Sequence, residues 1–299
     1  MRSWSRRTIL DDNLDASKQA DDSIPAKNAP PVRVITADQL PEEAIADIVA
    51  GFLAYEVWTS LAFHEIRQRF RRSVLGPFWL TLSMGILVGA LGLVFSTLFG
   101  QEISKTLPYI AVGLIYWNLM TTCINEGTTV FIGNESYIRN VPIPLSVHFY
   151  RMMARNVIIL AFNMAIYVVI LVAFRVSPGW QIFLFIPGFA LFLLNAAWMG
   201  LAAGILSTRY RDIPQVIVNI VQVTFFVTPV FWSPETLSHR PAFVQLNPLY
   251  HLLELARAPL LGHGISVENW VFAIGFAAFG VAVTAYLYRR AYARIAYWV

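Results

Sequence analysis

The stretch RQRFRRSVLGPFWL, residues 67–80, places four arginines within six positions and then passes through Gly-Pro into a long apolar run. A basic cluster directly before an apolar run of membrane-spanning length is typical of the inner end of a transmembrane helix. The whole chain agrees, since 57% of its residues are hydrophobic and only 13% are charged, about half the charged share of a soluble domain. The sequence therefore predicts an all-α polytopic membrane protein.

Six apolar stretches are long enough to cross a hydrocarbon core of about 30 Å. They comprise residues 77–99, 109–131, 152–174, 181–206, 214–233 and 268–288. A further apolar segment follows the fifth stretch, but Glu254 and Arg257 lie in its middle and prolines break it. We interpret this segment as an outer re-entrant or interfacial hairpin, because its longest proline-free part is too short to span the core.

Lysines and arginines are distributed unevenly around the six predicted spans. With the amino terminus in the cytoplasm, twelve of them lie at the inner face and four at the outer face. Cytoplasmic loops of membrane proteins are enriched in these residues. The sequence thus predicts a multi-pass membrane protein with both termini in the cytoplasm.

The residues before the first span fall into two parts. Residues 1–45 are rich in Asp, Ser, Ala and Pro and have no apolar periodicity, which predicts a disordered polar tail in the cytoplasm. Residues 46–72 carry apolar side chains such as Phe52, Trp58 and Ile66 among few charges, which predicts an amphipathic helix in the membrane interface. Residues 73–299 are then the six-span transmembrane domain.

The sequence argues against metal binding, ATP binding and catalysis by this chain. Cys123 is the single cysteine, and the five histidines show no ligand spacing, so no metal site is expected. A P-loop needs a lysine preceded by glycine, and none of the three lysines has one. We therefore expect no catalytic residue, cofactor or nucleic-acid partner, and any ATP and magnesium would be bound by a separate polypeptide.

Four blocks of sequence carry a family resemblance. They are RQRFRRSVLGPFWLTLSMGI (67–86), NESYIRNVPIPLSVHFYRMMARN (134–156), STRYRDIPQV (207–216) and NPLYHLLELARAPLLG (247–262). In order and spacing they resemble the membrane subunit of bacterial ABC exporters of polysaccharides and polyol phosphates. The resemblance covers residues 52–299 and is strongest to O-antigen permeases, with capsule and teichoic acid permeases as siblings.

The resemblance implies an assembly and a substrate. Two copies of the chain would form a homodimer around a channel in the membrane lipid. Two copies of a nucleotide-binding ATPase subunit would dock on the cytoplasmic face. The cargo implied is a lipid-linked polysaccharide, moved from the inner to the outer leaflet of the bacterial inner membrane, in which this multi-pass chain would lie.

Two groups of site residues are implied by the same resemblance. The loop after the second span would couple to the ATPase through Glu135, Tyr137, Ile138, Arg139, Asn140, Pro142 and Pro144. The hairpin before the last span would form an outer gate with Asn247, Pro248, His251, Glu254 and Arg257.

The chemistry of the residues adds three predictions. Four arginines either anchor the first span or bind phosphates of the carrier lipid or a cytoplasmic partner: Arg67, Arg69, Arg71 and Arg72. Aromatic and amide side chains suit a path for sugars, although they also serve as core or lipid-facing residues: Tyr116, Trp117, Asn118, Phe225, Phe226, Phe231 and Trp232. Glu126, an acid inside a span, is expected either to pair with Arg155 or to face the conduit.

Two other functions are left open by the residues alone. A membrane-embedded transferase acting on lipid-linked sugar would need an acidic or histidine motif at a membrane face. An ion-coupled transporter would need internal repeats and several charges within its spans, and Glu126 is the one charge that clearly lies inside a predicted span.

Gly85 and Gly89, four residues apart in the first span, are expected to permit close helix packing.

Overall fold

The computed structural model of the chain describes residues 40–234 and 242–299. The tail predicted for residues 1–45 therefore lies almost entirely outside the described residues. Within them, all long elements are helices and no strand is present, as the sequence predicts. The helices are α1 (Leu40–Leu53), α2 (Tyr55–Arg69), α3 (Phe78–Phe99), α4 (Ile103–Thr129), α5 (Glu135–Asn140), α6 (Ser146–Ala173), α7 (Ile182–Arg209), α8 (Ile213–Val227), α9 (Ala242–Gln245), α10 (Pro248–Leu260) and α11 (Val267–Trp298).

Five of the described helices are long and apolar enough to cross a membrane, namely α3, α4, α6, α7 and α11. Helix α8, at the fifth predicted span, has only 15 residues, which corresponds to about 22 Å. It ends at Val227 because Thr228 is extended, with ψ 132°, and a residue before proline disfavours the helical conformation. The predicted span 214–233 is thus corrected to a short helix followed by a break.

Helices α1 and α2 precede the first long helix. They meet at Ala54 with a bend of 64°, and only as one broken segment are they long and apolar enough to cross a membrane. A single interface helix is predicted for residues 46–72, whereas the structure has two helices. The first of them begins at Leu40, so the predicted end of the tail at residue 45 lies inside a helix.

Helix α4 lies at the centre of the bundle. In its most apolar stretch of 18 residues, 67% of the residues are buried, against 17–28% in the corresponding stretches of the other four long helices. Gly127 of α4 lets it approach α7 closely, because a Cβ on Gly127 would overlap the carbonyl oxygen of Gly200 and lie only 2.7 Å from its Cα. Such small residues allow the backbones of membrane helices to touch.

The predicted glycine pair on α3 behaves differently. A Cβ on Gly85 would lie 3.8 Å from the nearest side chain, which is an ordinary contact, and a Cβ on Gly89 would meet nothing within 4 Å. Within this chain, close packing of helices occurs at Gly127 and not at the pair that the sequence indicates.

The bundle has two ends that differ in construction. We call the end that holds residues 130–145 the loop end, and the end that holds residues 228–234 and 242–266 the hairpin end. At the loop end, residues of α1, α6 and α11 form a separate apolar cluster with Phe131 and Val130. At the hairpin end, α10 enters the main core beside α4, where Leu252, Leu253 and Leu255 are fully buried.

Candidate functional site

The loop between α4 and α6 presents a short helix to the outside. Helix α5 carries an ion pair between Glu135 and Arg139, 3.0 Å apart, and Asn140 donates to the carbonyl of Ser136 at 2.8 Å. Tyr137 is 55% exposed. The chain then runs extended through exposed Pro142 to Pro144 before α6 begins, while half-buried Ile138 packs on the loop-end cluster. All seven residues predicted for coupling therefore lie together, with most of their side chains exposed.

An ion-pair network lies directly behind this loop. Arg155 of α6 bonds to Glu126 of α4 at 2.6 Å and also to Glu65 of α2. Arg151, one turn earlier, lies 2.9 Å from the second oxygen of Glu65. Asn156 donates to Glu126 at 2.9 Å. The structure therefore places the predicted pair Glu126 and Arg155 in contact, within a larger network that joins three helices.

The network is connected to the first residues of the loop. Arg151 donates to the amide oxygen of Asn134 at 2.7 Å, and Asn134 donates to the carbonyl of Val130 at 2.7 Å. Since Arg151 also contacts Glu65, the start of the loop is bonded through one side chain to α2.

The other end of the loop is held by Asp47 of α1. Its carboxylate accepts hydrogen bonds from the backbone N–H groups of Leu145, at 2.8 Å, and Ser146, at 3.0 Å. Two hydroxyls of α11 reach the same carboxylate, Tyr288 at 2.8 Å and Tyr292 at 3.5 Å. Asp47 is only 6% exposed, so these contacts replace the water that a carboxylate requires.

The four arginines of the opening stretch lie at the end of α2 and in the turn that follows it. Arg67, Arg69, Arg71 and Arg72 are all exposed. Among the residues that the structure describes, none of the four pairs with an acid, and Arg69 rests 5.9 Å from the ring centre of Phe70. They present free positive charge beside the network.

The five residues predicted for the outer gate are brought together at the hairpin end. Asn247 caps α10 by accepting from the N–H of Leu249, in the turn that Pro248 begins, and it donates to the hydroxyl of Thr228 at 2.9 Å. His251 bridges Asn269, at 2.7 Å, and the carbonyl of Gln245, at 2.8 Å. These bonds connect α10 to the break after α8, to α9 and to α11.

Arg257 is the central cation of the hairpin end. It is 1% exposed and donates to the carbonyls of Pro229, at 3.0 Å, and Val230, at 3.1 Å. It also pairs with Glu254 at 3.0 Å, and its guanidinium lies 3.9 Å from the ring centre of Tyr109. One side chain thus supplies the donors that the non-helical residues after α8 need in an apolar environment.

The aromatic residues predicted to line a sugar path do not share one surface. Tyr116 is 1% exposed and packs edge-on against Phe185, Phe189 and Phe192 in the core. On another face of α4, Trp117 packs against Phe225, which contacts both Phe226 and Phe231.

The other two path candidates border different cavities. Trp232 lines a cavity of about 680 Å³ at the hairpin end, together with Phe231 and Tyr109. Asn118 borders a small cavity of about 10 Å³ between α4 and α6, beside Asn156 and Asn163.

Two residues that organise the loop end were missed by sequence reasoning. Glu65 looks like one more charge before the arginines, although it falls on the same face of α2 as buried Ala62 and Ile66. The sequence prediction places Asp47 in the interface helix and gives it no partner. An acid within the apolar run ADIVAGF is nevertheless a signal that the carboxylate needs a polar partner. Both signals come from where the acid lies among the apolar residues of its own helix. Neither signal identifies the residue with which the acid pairs.

The fold and the loop end together define a polytopic helical membrane protein that bears an exposed loop held by side chains from several helices. Comparison with known families matches residues 56–261, more than half of the chain, to the ABC-2 type transporter family. The chain belongs to this family, and it is accordingly the membrane part of an ABC transporter, which implies a partner that hydrolyses ATP.

One curated relative is similar over most of the chain. The O-antigen export system permease protein RfbA of Myxococcus xanthus is 23% identical over 207 residues, which cover 68% of this chain and 80% of the relative.

Proposed function

We propose that this protein is the transmembrane subunit of an ATP-driven exporter that moves a lipid-linked polysaccharide of the O-antigen type across the bacterial inner membrane. Two copies form a homodimer, and two copies of an ATPase subunit dock at the loop end, which faces the cytoplasm. Family membership supports the transporter, and the export function in the relative's name supports the substrate class. The observation that carries the proposal is the construction of the loop end.

The loop end suits a joint that transmits force. Helix α5 is exposed and so is free to contact a partner, while Asn134 at the start of the loop is bonded to Arg151. Arg151 and Arg155 of α6 are in turn paired with Glu65 of α2 and Glu126 of α4. A push on α5 therefore reaches three helices through short polar contacts, because charge-assisted bonds are stronger and more directional than apolar contacts.

The arginines beside this network suit an anionic headgroup. They are exposed and, in the part of the chain that the structure describes, carry no acidic partner, so their charge is available to phosphates. The pyrophosphate of a polyprenyl carrier and the headgroups of anionic lipids both offer this chemistry. Anchoring of the first span is the simpler role of the same residues.

The string of aromatic rings along α4 and α8 suits the sugar chain. Trp117, Phe225 and Phe231 are packed ring to ring, and Phe226 is 63% exposed. Aromatic faces contact the weakly polarised C–H faces of sugars without charge. None of the residues of α8 is buried within one chain, which leaves this helix for lipid or for a second copy.

The experiment that tests the function is deletion of the gene in its own host, with analysis of surface polysaccharide and of lipid-linked polymer inside the cell. The expected result is loss of the surface polymer, accumulation of its lipid-linked form within, and rescue by the wild-type gene together with an active ATPase. The composition of the missing polymer distinguishes O-antigen from capsule and teichoic acid. Unchanged surface polymer in the deletion strain would refute the proposal.

A further inference from the structure

We infer that Asp47 is a positioning residue for energy coupling: from α1, it fixes the end of the docking loop at the start of α6. Asp47 lies ahead of the residues 56–261 that match the family. The inference rests on the proposed function, because it assigns a role within the same transport cycle.

The carboxylate acts as a cap supplied from a distant part of the chain. The first N–H groups of a helix have no acceptor within the helix and are normally capped by a neighbouring side chain. Helix α6 has no such local cap, since Leu145 at its N-cap position makes no side-chain capping bond. Asp47 takes this place with both oxygens, from 98 and 99 residues earlier in the sequence. The positive end of the helix dipole in turn stabilises the buried charge.

The two helices touch at this joint. Ser146 donates its hydroxyl to the backbone carbonyl of Asp47 at 2.7 Å. A Cβ on Gly51, one turn further along α1, would overlap the hydroxyl of Ser146 and would lie 3.1 Å from its Cβ. Because any larger side chain would separate the helices, Gly51 and Asp47 together fix the distance between α1 and the end of the loop.

The joint extends to α11. Tyr288 donates to Asp47 at 2.8 Å, while Arg139 in the middle of the loop donates to the backbone oxygen of Val299 at 2.7 Å. The loop is thus held in its middle and at its end by contacts that both lead to the carboxyl-terminal part of α11. A displacement of α5 cannot be absorbed at Leu145 while these bonds remain, so it must move α6.

The test uses the full chain with its ATPase subunit, reconstituted in lipid. Asp47→Asn keeps the shape of the side chain and removes the charge that both N–H groups share. We expect hydrogen–deuterium exchange at Leu145 and Ser146 to rise about tenfold, the change that corresponds to loss of one helix cap. We also expect ATP hydrolysed per exported polymer to rise about threefold, with unchanged assembly of the complex.

Three variants make the test specific. Glu42→Gln removes one charge from an exposed position of α1 and should match the wild type in both measurements. Tyr288→Phe removes one bond to Asp47 but leaves the loop contacts, and should shift coupling less than Asp47→Asn. Gly51→Ala separates α1 from α6 at the same joint without removing a carboxylate. It therefore tests the positioning role if the Asp47→Asn variant does not fold.

The outcomes separate the two proposals. Unchanged exchange at Leu145 and Ser146 in the folded Asp47→Asn or Gly51→Ala variant would overturn the positioning role. Faster exchange with unchanged ATP consumption per polymer would overturn the coupling role and leave Asp47 as a stability element. A wild-type complex that hydrolyses ATP without exporting polymer would overturn the proposed function instead, and the exchange measurement would still decide on Asp47.

Discussion

The loop end and the hairpin end both use arginine, but they place it in different surroundings. The charged side chains of the loop-end network, Arg151, Arg155, Glu65 and Glu126, are 12–31% exposed and connect separate helices. Arg257 at the hairpin end is 1% exposed and binds backbone carbonyls of one short break. Charges that reach water can exchange partners at small cost, whereas a fully buried guanidinium cannot leave its acceptors. The loop-end network can therefore follow a displacement of the helices that it joins, whereas the hairpin end moves only as one body.

The strongest way to break this comparison is to remove Arg257. Arg257→Ala leaves Glu254 and two carbonyls without a donor in the core, which should lower the free energy of unfolding by ~3–5 kcal/mol and abolish the monodisperse fraction. Size-exclusion chromatography of the solubilised protein measures that fraction. Lys105→Ala, at an 82% exposed cation of the same end, is the matched control and should have no effect. A well-folded Arg257→Ala protein would show that the hairpin end is not held by this residue.

Charge reversal in the loop-end network comes next. A simple pair would tolerate the exchange Glu126→Arg with Arg155→Glu, but the structure places a second acid, Glu65, on Arg155. The exchanged protein should therefore recover less than half of the folded yield that either single reversal loses, because the new acid at 155 faces Glu65. Adding Glu65→Gln should raise the yield again. Full recovery by the double exchange alone would contradict the shared network.

Removal of the bridging acid alone should separate stability from transport. Glu65→Gln takes one acceptor from Arg151 and Arg155 at a partly exposed site, so a loss of only ~1–2 kcal/mol is expected. Export per folded molecule should fall about tenfold, since α2 then offers Arg151 and Arg155 only one neutral acceptor. Thermal unfolding and an export assay on the same preparation give the two values. Glu56→Gln, exposed on the same helix, is the control, and equal export by both variants would argue against a coupling role.

The smallest effect is expected at the exposed arginines. Arg69→Lys together with Arg72→Lys keeps the charge, so insertion and folding should be unchanged. If these residues bind phosphates through two N–H groups, export should fall about two- to fivefold because lysine offers only a point charge. Expression measured by immunoblot and surface polymer measured in the same cells test this. Full export by the double variant would return the arginines to the anchoring role.

How far the sequence predicts the molecule differs between these regions. Hydropathy gives the five long helices and the hairpin, because apolar length is a property of one segment at a time. The short helix α8 is missed, because Phe231 and Trp232 continue the apolar run beyond the break at Thr228. The carbonyls of Pro229 and Val230 in the break accept hydrogen bonds from Arg257, whose position cannot be read from hydropathy.

The site divides in the same way. The pairing of Glu126 with Arg155 can be predicted, because both lie at one depth on adjacent antiparallel helices. The contacts of Glu65 and Asp47 cannot, because they depend on how two helices before the first span fold back on the bundle. Tyr116 shows the reverse difficulty, since neighbouring Trp117 has the same composition cues but faces another side of α4. Residue type suggests a role, and the helical face decides it.

The buried position of Arg257 also has a consequence for how the chain is made. A segment that carries Glu254 and Arg257 costs several kcal/mol to place in lipid by itself, so α10 cannot enter the bilayer as it leaves the ribosome. Its acceptors on Pro229 and Val230 are synthesised earlier, but Asn269, the partner of His251, belongs to the last helix. We therefore expect the hairpin to dock only after α11 has inserted, as a late step of biogenesis.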